Sequence, residues 1–144
     1  MQRFQRTITW GLLIFIAAAI VTTFRPRETI FLPDGLCVLF WHSETRCPPC
    51  LKMEELILQV LDDQKGYRLC NLKYDVLAHQ LLAQEFNVGT ATIILVERKD
   101  QKNIRIRDLT ARVWQNITDD FAFVTMLRQE LEQFANTGES QSRK

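Results

Sequence analysis

The chain has 144 residues, of which 47% are hydrophobic and 24% are charged, and its formal net charge is +1. This length and composition are typical of one globular domain. The charges are balanced and no basic cluster stands out, which argues against a nucleic-acid partner.

The first 24 residues differ in pattern from the rest of the chain. Arg3 and Arg6 precede an uncharged, mostly apolar run at 8–24, near the short limit for a membrane-spanning helix of roughly 20 residues. A cleaved signal peptide shows the same order, with small residues at 17–19 as a cleavage site, and a buried helix is a third interpretation. We favour an uncleaved membrane anchor, because cleavage there would leave a short apolar core. The basic start would then stay cytoplasmic and place the remaining chain on the periplasmic side of the cell membrane.

Strand and helix patterns alternate through the remaining chain. In chain order we predict a linker at 25–35 with a short edge strand at 29–32, a strand at 36–41, a helix at 51–63, a strand at 68–74, a helix at 76–86, strands at 90–96 and 104–107, and a helix at 119–134 capped by Thr118. The unbroken apolar run at 36–41 favours a strand buried on both faces. The alternation at 104–107 suggests one exposed face. A domain at 36–135 would precede a polar, frayed tail at 136–144.

The motif Cys47-Pro48-Pro49-Cys50 lies between the first core strand and the first helix. The positive end of a helix dipole stabilises a thiolate, and two cysteines at this spacing can close a disulfide and reopen it under attack by another thiolate. We predict that Cys47 attacks a substrate disulfide and that Cys50 resolves the mixed disulfide. The alternatives are a structural disulfide and a zinc half-site, although zinc would need a second cysteine pair or paired histidines. No metal or other cofactor is therefore predicted.

The element order, with this motif after the first core strand, resembles the thioredoxin fold. The resemblance covers 36–135 and rests on Phe40-Trp41, on the Cys-Pro-Pro-Cys motif and on the run at 88–93 that leads into a later strand. It implies an α/β fold with a four-stranded mixed sheet in the order 2-1-3-4, helices on both faces and the thiols at one end of the central strand. In layout the chain also resembles membrane-anchored thioredoxin-like reductases of cytochrome c maturation. The resemblance implies a thiol:disulfide oxidoreductase, acting as a reductase, with a disulfide- or thiol-bearing protein as substrate and a redox donor protein.

The sequence departs from the thioredoxin pattern at three places. Ala91 stands at the family's cis-proline position, and because a cis bond before a non-proline residue costs about 3 to 4 kcal/mol, we predict a trans Thr90–Ala91 bond. Leu39 replaces the buried acid that thioredoxins carry two residues before Trp41. Trp41 lies two residues farther from the first cysteine than is usual, so 42–46 should form a longer loop over the site.

That loop supplies three auxiliary candidates. Glu44 could replace the missing acid, and His42 or Arg46 could stabilise the Cys47 thiolate electrostatically. The alternative is that all three are solvated loop residues.

Other residues allow further interpretations. Cys37 and Cys70, on neighbouring parallel strands, could form a disulfide or remain free core thiols. His79 is interpreted as a surface residue, since it has no partner at metal-ligand spacing. The alternative to an enzyme is a binding protein that holds a thiol-bearing partner or a soft metal such as Cu(I) on the same scaffold.

Overall fold

The computed structural model describes residues 15–16 and 30–141. Its strands are β1 (Gly35–His42), β2 (Tyr67–Lys73), β3 (Thr92–Lys99) and β4 (Lys102–Asp108). Its helices from residue 30 onward are α1 (Pro48–Asp63), α2 (Gln80–Glu85), α3 (Thr110–Asn116) and α4 (Asp120–Gln141), and a 3-10 turn at Leu77–His79 leads into α2.

The strands form one mixed sheet in the order β2-β1-β3-β4. Strand β1 is parallel to β2 and antiparallel to β3, which in turn is antiparallel to β4. The predicted strand order is therefore confirmed. Residues 37–41 of the central strand β1 are at most 1% exposed, because the strand has a neighbour on each side and helices above and below. The predicted burial on both faces is confirmed as well.

The two faces of the sheet carry separate core clusters, since successive side chains of a strand point to opposite faces. Val38 and Phe40 pack in one cluster with α1, α3 and α4. This side is termed the thiol face, because Cys50 belongs to the same cluster. Leu39 and Trp41 pack on the other side, termed the reverse face, against α2.

Helix α1 begins at Pro48, three residues before the predicted start. Prolines are tolerated in the first turn of a helix because the backbone amides there have no intrahelical acceptor. The earlier start places Cys50 inside the first turn and leaves Cys47 as the residue that caps it. The predicted position of both thiols at the start of the helix is confirmed.

Helix α4 differs from its prediction at both ends. It begins at Asp120, and the Asp119 carboxylate accepts a hydrogen bond of 3.0 Å from the Ala122 amide. Asp119, and not Thr118, is therefore the capping residue. The helix continues to Gln141, well into the segment that was expected to be frayed.

The edge strand predicted at 29–32 is wrong for the residues that the structure describes. Residues 30–33 have no strand geometry, and Leu32 instead packs into the core cluster of the reverse face with 5% of its surface exposed. Part of the predicted linker thus belongs to the folded domain.

Strand β4 has one exposed face, as predicted, and that face carries its isoleucines. Ile104 and Ile106 are each more than half exposed. The guanidinium groups of Arg105 and Arg107 lie instead 4.4 and 5.7 Å from the centre of the Phe134 ring of α4. Cation–π contacts and the packing of aliphatic stems let arginines cover an apolar surface in this way.

The predicted membrane anchor at 1–24 lies outside the described residues, apart from residues 15 and 16. In the described part of the chain, no helix is both long enough and apolar enough to span a membrane.

Candidate functional site

The thiol pair lies at the amino-terminal end of α1. Cys47 has an extended backbone (φ −85°, ψ 158°), and its carbonyl accepts hydrogen bonds from the amides of Cys50, at 2.9 Å, and Leu51, at 3.1 Å. Cys47 is partly exposed, whereas Cys50 is 2% exposed. Both are free thiols in this structure. Because of the difference in exposure, a partner can reach the sulfur of Cys47, whereas that of Cys50 is buried.

The pKa of the Cys47 thiol is lowered from its ordinary value, chiefly by a hydrogen bond with the Cys50 thiol. The backbone amides of Cys50 and of Cys47 itself lower this pKa further, while partial burial opposes them. Hydrogen bonds to the charged form of a group favour that form. The site therefore prepares Cys47 as a thiolate.

The pKa of Cys50 is raised, first by burial and then by the hydrogen bond it shares with Cys47. Burial disfavours the charged form, and a thiol that donates its proton to a neighbouring thiolate holds that proton more firmly. Cys47 thus loses its proton first. Once Cys47 has formed a bond to another sulfur, it no longer accepts the Cys50 proton as a thiolate.

The other two cysteines lie on the reverse face and are free thiols. Burial is the main cause that raises the pKa of Cys37 to about 11, and burial also raises the pKa of Cys70. In the register of β1 with β2, Cys70 lies opposite Leu39, so Cys37 is its diagonal neighbour. The two thiols share a hydrogen bond, which raises the pKa of Cys37 and lowers that of Cys70. A disulfide between them stays a prediction.

His42 is not a loop residue, contrary to the prediction for 42–46. It is the last residue of β1 and only 1% exposed, and its ring centre lies 5.3 Å from that of Phe40. Its Nδ1 atom lies 2.6 Å from the Ser43 carbonyl oxygen. Because a carbonyl only accepts, the proton of this contact is assigned to Nδ1.

Arg46 and Glu44 form ion pairs outside the thiol pair. Arg46 pairs with Glu54 on α1. The Glu44 carboxylate accepts a hydrogen bond of 3.3 Å from Nζ of Lys73, and the Glu44 amide donates to the Asp75 carboxylate at 2.8 Å. These contacts tie the loop to α1 and to the end of β2. The auxiliary roles of both residues at Cys47 stay predictions.

Trp41 and Leu39 point away from the thiols, into the core of the reverse face. The Trp41 ring centre lies 6.4 Å from that of Phe86, and its indole nitrogen has no hydrogen-bond partner among the described residues. Phe40 is the β1 residue that shares the thiol-face cluster with Cys50. Neither Leu39 on the reverse face nor Phe40 on the thiol face supplies the buried acid that the thioredoxin pattern carries in this part of the strand.

Ala91 immediately precedes β3 and belongs to the same buried cluster as Cys50, against which Cys47 packs. No peptide bond among the described residues is cis, so the predicted trans Thr90–Ala91 bond is confirmed. The Ala91 carbonyl accepts a hydrogen bond of 3.0 Å from the indole Nε1 of Trp114 on α3.

Neither α3 nor the role of Trp114 in it was predicted from the sequence. Leu109, Val113 and Ile117 recur every four residues, a helical spacing that would have predicted α3. The contact with Ala91 had no sequence signal, because it joins residues 23 positions apart.

His79 is only partly exposed and has a structural partner. Its Nδ1 atom accepts a hydrogen bond of 2.8 Å from the Lys73 amide, and burial lowers its pKa, with smaller contributions from Lys73 and His42. Among the residues the structure describes, no group of three or more histidine, cysteine or acidic side chains could hold a metal ion.

No protein-family model matches the chain, and no curated protein matches it. Solved structures do resemble it. Trichomonas vaginalis thioredoxin aligns with a TM-score of 0.47 and 15% identity over 69% of this chain and 79% of that one. Mitochondrial thioredoxin 3 from Saccharomyces cerevisiae, in its oxidised form, aligns with a TM-score of 0.42 and 20% identity over 69% of this chain and 89% of that one. Chlamydomonas reinhardtii thioredoxin f2 aligns at 0.41 and 13% identity over 69% and 92%.

The fold is thioredoxin-like. That statement rests on the strand order, the parallel pairing of β1 with β2 and the helices on both faces of the sheet. The thiol pair follows the central strand of this thioredoxin-like fold.

Proposed function

We propose that this chain is a thiol:disulfide oxidoreductase that acts through Cys47 and Cys50. The observation that carries the proposal is the asymmetry of the pair: a partly exposed thiol whose pKa is lowered, beside a buried thiol whose pKa is raised. Reactive cysteines occur in partly exposed sites that stabilise a thiolate, whereas buried thiols in apolar surroundings are inert.

In the proposed reaction the Cys47 thiolate attacks one sulfur of a substrate disulfide. A bond forms between that sulfur and Cys47 Sγ, the substrate S–S bond breaks, and the second substrate sulfur leaves as a thiolate. Cys50 then gives its proton to the second substrate sulfur and attacks Cys47 Sγ. This breaks the mixed disulfide and releases the first substrate sulfur as a thiolate, which takes its proton from water. The substrate gains two electrons and becomes a dithiol, and the pair of cysteines becomes a disulfide that a dithiol donor protein must reduce.

The direction and the location of this exchange are further proposals. The resemblance to Cys-Pro-Pro-Cys reductases supports action as a reductase, and the apolar run at 8–24 supports attachment to a membrane with the domain on the periplasmic side. Equilibration with glutathione buffers of known ratio would give the potential of the pair, which fixes the direction against the poise of the compartment. A potential well above the poise of its compartment would contradict a reductase.

Turnover of insulin disulfides by the full chain with dithiothreitol tests the activity. Replacing Cys47 by serine should reduce turnover to the uncatalysed background, because serine forms no mixed disulfide. Cys70→Ser is the matched control, since Cys70 is another partly exposed thiol with a raised pKa, and it should retain full turnover. An inactive wild-type chain that is purified with a stoichiometric metal would refute the enzyme proposal.

A further inference from the structure

Trp114 is a large aromatic side chain that remains 41% exposed, although its helix α3 packs against the core of the thiol face. Leu109 and Val113, on the inner side of α3 and the turn before it, are at most 2% exposed. On the outer side, Arg112 pairs with Glu130, a residue of α4 that is itself 2% exposed. The helix that carries the Trp114 indole is thus held in place by contacts on both sides.

Three hydrogen bonds tie this region to consecutive residues at the start of β3. The Leu109 amide donates to the Ile93 carbonyl at 3.0 Å. The hydroxyls of Thr110 and Thr92 lie 2.6 Å apart. The Trp114 indole donates to the Ala91 carbonyl at 3.0 Å. Trp114 therefore occupies a defined place beside the segment that enters β3.

That place is at the same end of the sheet as the thiols. Trp41 pairs with Thr92 in the antiparallel register of β1 with β3, so Ala91 lies next to the end of β1 from which the chain proceeds to Cys47. Ala91 and Cys50 belong to one buried cluster, and Cys47 packs against it.

The indole has a single polar atom, and that atom is already bonded to Ala91. The exposed part of the ring consequently offers carbon surface and no hydrogen-bonding requirement. Tryptophan held rigid with an apolar face toward solvent is a common anchor of protein contacts, and rigidity lowers the entropy lost on binding.

We propose that Trp114 is a substrate-binding residue that contacts apolar side chains flanking the disulfide of a polypeptide substrate. This inference rests on the proposed function, since the occupant is identified by the nucleophile beside it. A small disulfide without flanking residues reaches Cys47 without touching the indole. Trp114 thus determines preference for polypeptides over small disulfides.

The test compares two substrates, insulin and bis(hydroxyethyl) disulfide, in the full chain. Trp114→Ala should raise KM for insulin about tenfold, the loss of one anchor contact worth roughly 1.4 kcal/mol, with kcat and small-disulfide turnover unchanged. Trp114→Phe keeps an apolar ring without the indole donor, and it should retain most of the wild-type kcat/KM for insulin. Phe31→Ala is the matched control, because it truncates an exposed aromatic side chain beyond the opposite end of β1. It should leave the kinetic constants for both substrates unchanged.

Unchanged insulin kinetics in Trp114→Ala, or equal losses on both substrates, would overturn the inference while leaving the proposed function in place. Equal losses in the alanine and phenylalanine variants would also overturn it, since they would assign the effect to the bond with Ala91. A wild-type chain without turnover of either substrate would refute the proposed function instead. A second measurement needs no variant of Trp114. The Cys47 thiolate of Cys50→Ser should attack the disulfide-linked dimer of a peptide with apolar residues beside its cysteine, which forms the mixed disulfide and releases one peptide as a thiol. The indole resonance of Trp114 should then shift, and an unshifted resonance would contradict the contact.

Discussion

The hydrogen bond between the two thiols makes the pKa of Cys47 differ from that of Cys50. The Cys50 thiol donates to Cys47, which lowers the pKa of one and raises the pKa of the other. Within the part of the chain that the structure describes, the causes of the shift at Cys47 are hydrogen bonds and burial. The proposed roles of attacker and resolver rest on this difference between the capping residue Cys47 and Cys50 in the first turn of α1.

This account predicts how alkylation of Cys47 by iodoacetamide depends on pH. A lowered pKa means that the proton leaves at lower pH, so Cys47 should react at neutral pH before the other three cysteines. Cys50→Ala removes the main donor, which should raise the pKa of Cys47, move the rate profile to higher pH and slow labelling at neutral pH several-fold. Mass mapping of the labelled cysteines at a series of pH values measures both effects.

Cys50→Ser is the control for this experiment, because a hydroxyl of similar size keeps a donor beside Cys47. Its profile should lie closer to the wild type than that of Cys50→Ala. Identical profiles for the two variants would show that the hydrogen bond does not set the reactivity of Cys47.

At this scale the sequence predicted that both thiols lie at the start of the helix and that the bond before Ala91 is trans, because both depend on local chemistry. It did not predict that His42 is buried in β1 or that Trp114 reaches Ala91. Both depend on register and on the packing of α3, which no short motif encodes.

Helix α3 is the element that closes the thiol face beside the start of β3, and a buried carboxylate holds it. Glu130 on α4, with 3% of its side chain exposed, accepts hydrogen bonds from Arg107 of β4 and Arg112 of α3. Removing one member of a buried ion pair leaves its partners without compensation. Both arginines keep contact with water, which reduces the loss of stability when the Glu130 carboxylate is removed.

Glu130→Gln should accordingly lower the free energy of unfolding by about 1 to 2 kcal/mol. Amide hydrogen exchange in α3 should accelerate more than exchange in β1, because the lost contacts anchor α3. Glu132→Gln, an exposed change on the same helix, is the control and should be nearly neutral in urea denaturation. Equal losses for the two variants would contradict a clamping role for Glu130.

The long elements were predicted better than the short ones. Strand β1 and helix α1 follow from an unbroken apolar run and a clear helical stripe. The pattern of β4 predicted one exposed face but did not say which; the arginines face α4 against Phe134, and the isoleucines are exposed. Periodicity shows that two faces differ, whereas contacts with neighbouring elements decide which face is covered.

Residues 30–141 form a sheet that is covered on both faces. Core packing within this range starts before residue 36, the predicted domain boundary. Leu32 packs into the reverse-face core with Leu39 and Trp41, and the Cys37 thiol lies 3.4 Å from the carbonyl oxygen of Pro33. Leu32 therefore belongs to the core, and removing the segment that carries it should lower the free energy of unfolding.

A fragment that starts at residue 25 should fold with the stability of the full chain. A fragment that starts at residue 36 should be less stable, by about 1.5 to 3 kcal/mol for the lost burial of Leu32 alone. Circular dichroism with urea denaturation compares the two, and equal stability would show that the contacts of Leu32 contribute nothing.

Fractionation of the full chain tests the proposed anchor separately. We expect the full chain to sediment with membranes and to require detergent, and the fragment from residue 25 to stay in the supernatant. A full chain recovered in the supernatant at its unprocessed mass would contradict the anchor.

The most direct test of the central claim is to trap the first covalent step. The Cys50→Ser variant of the full chain cannot resolve a mixed disulfide, so incubation with insulin should leave a substrate cysteine attached to this chain. Proteolysis and mass spectrometry without reduction then locate the bond. The account predicts attachment at Cys47, and attachment at Cys37 or Cys70, or none at Cys47, would contradict it.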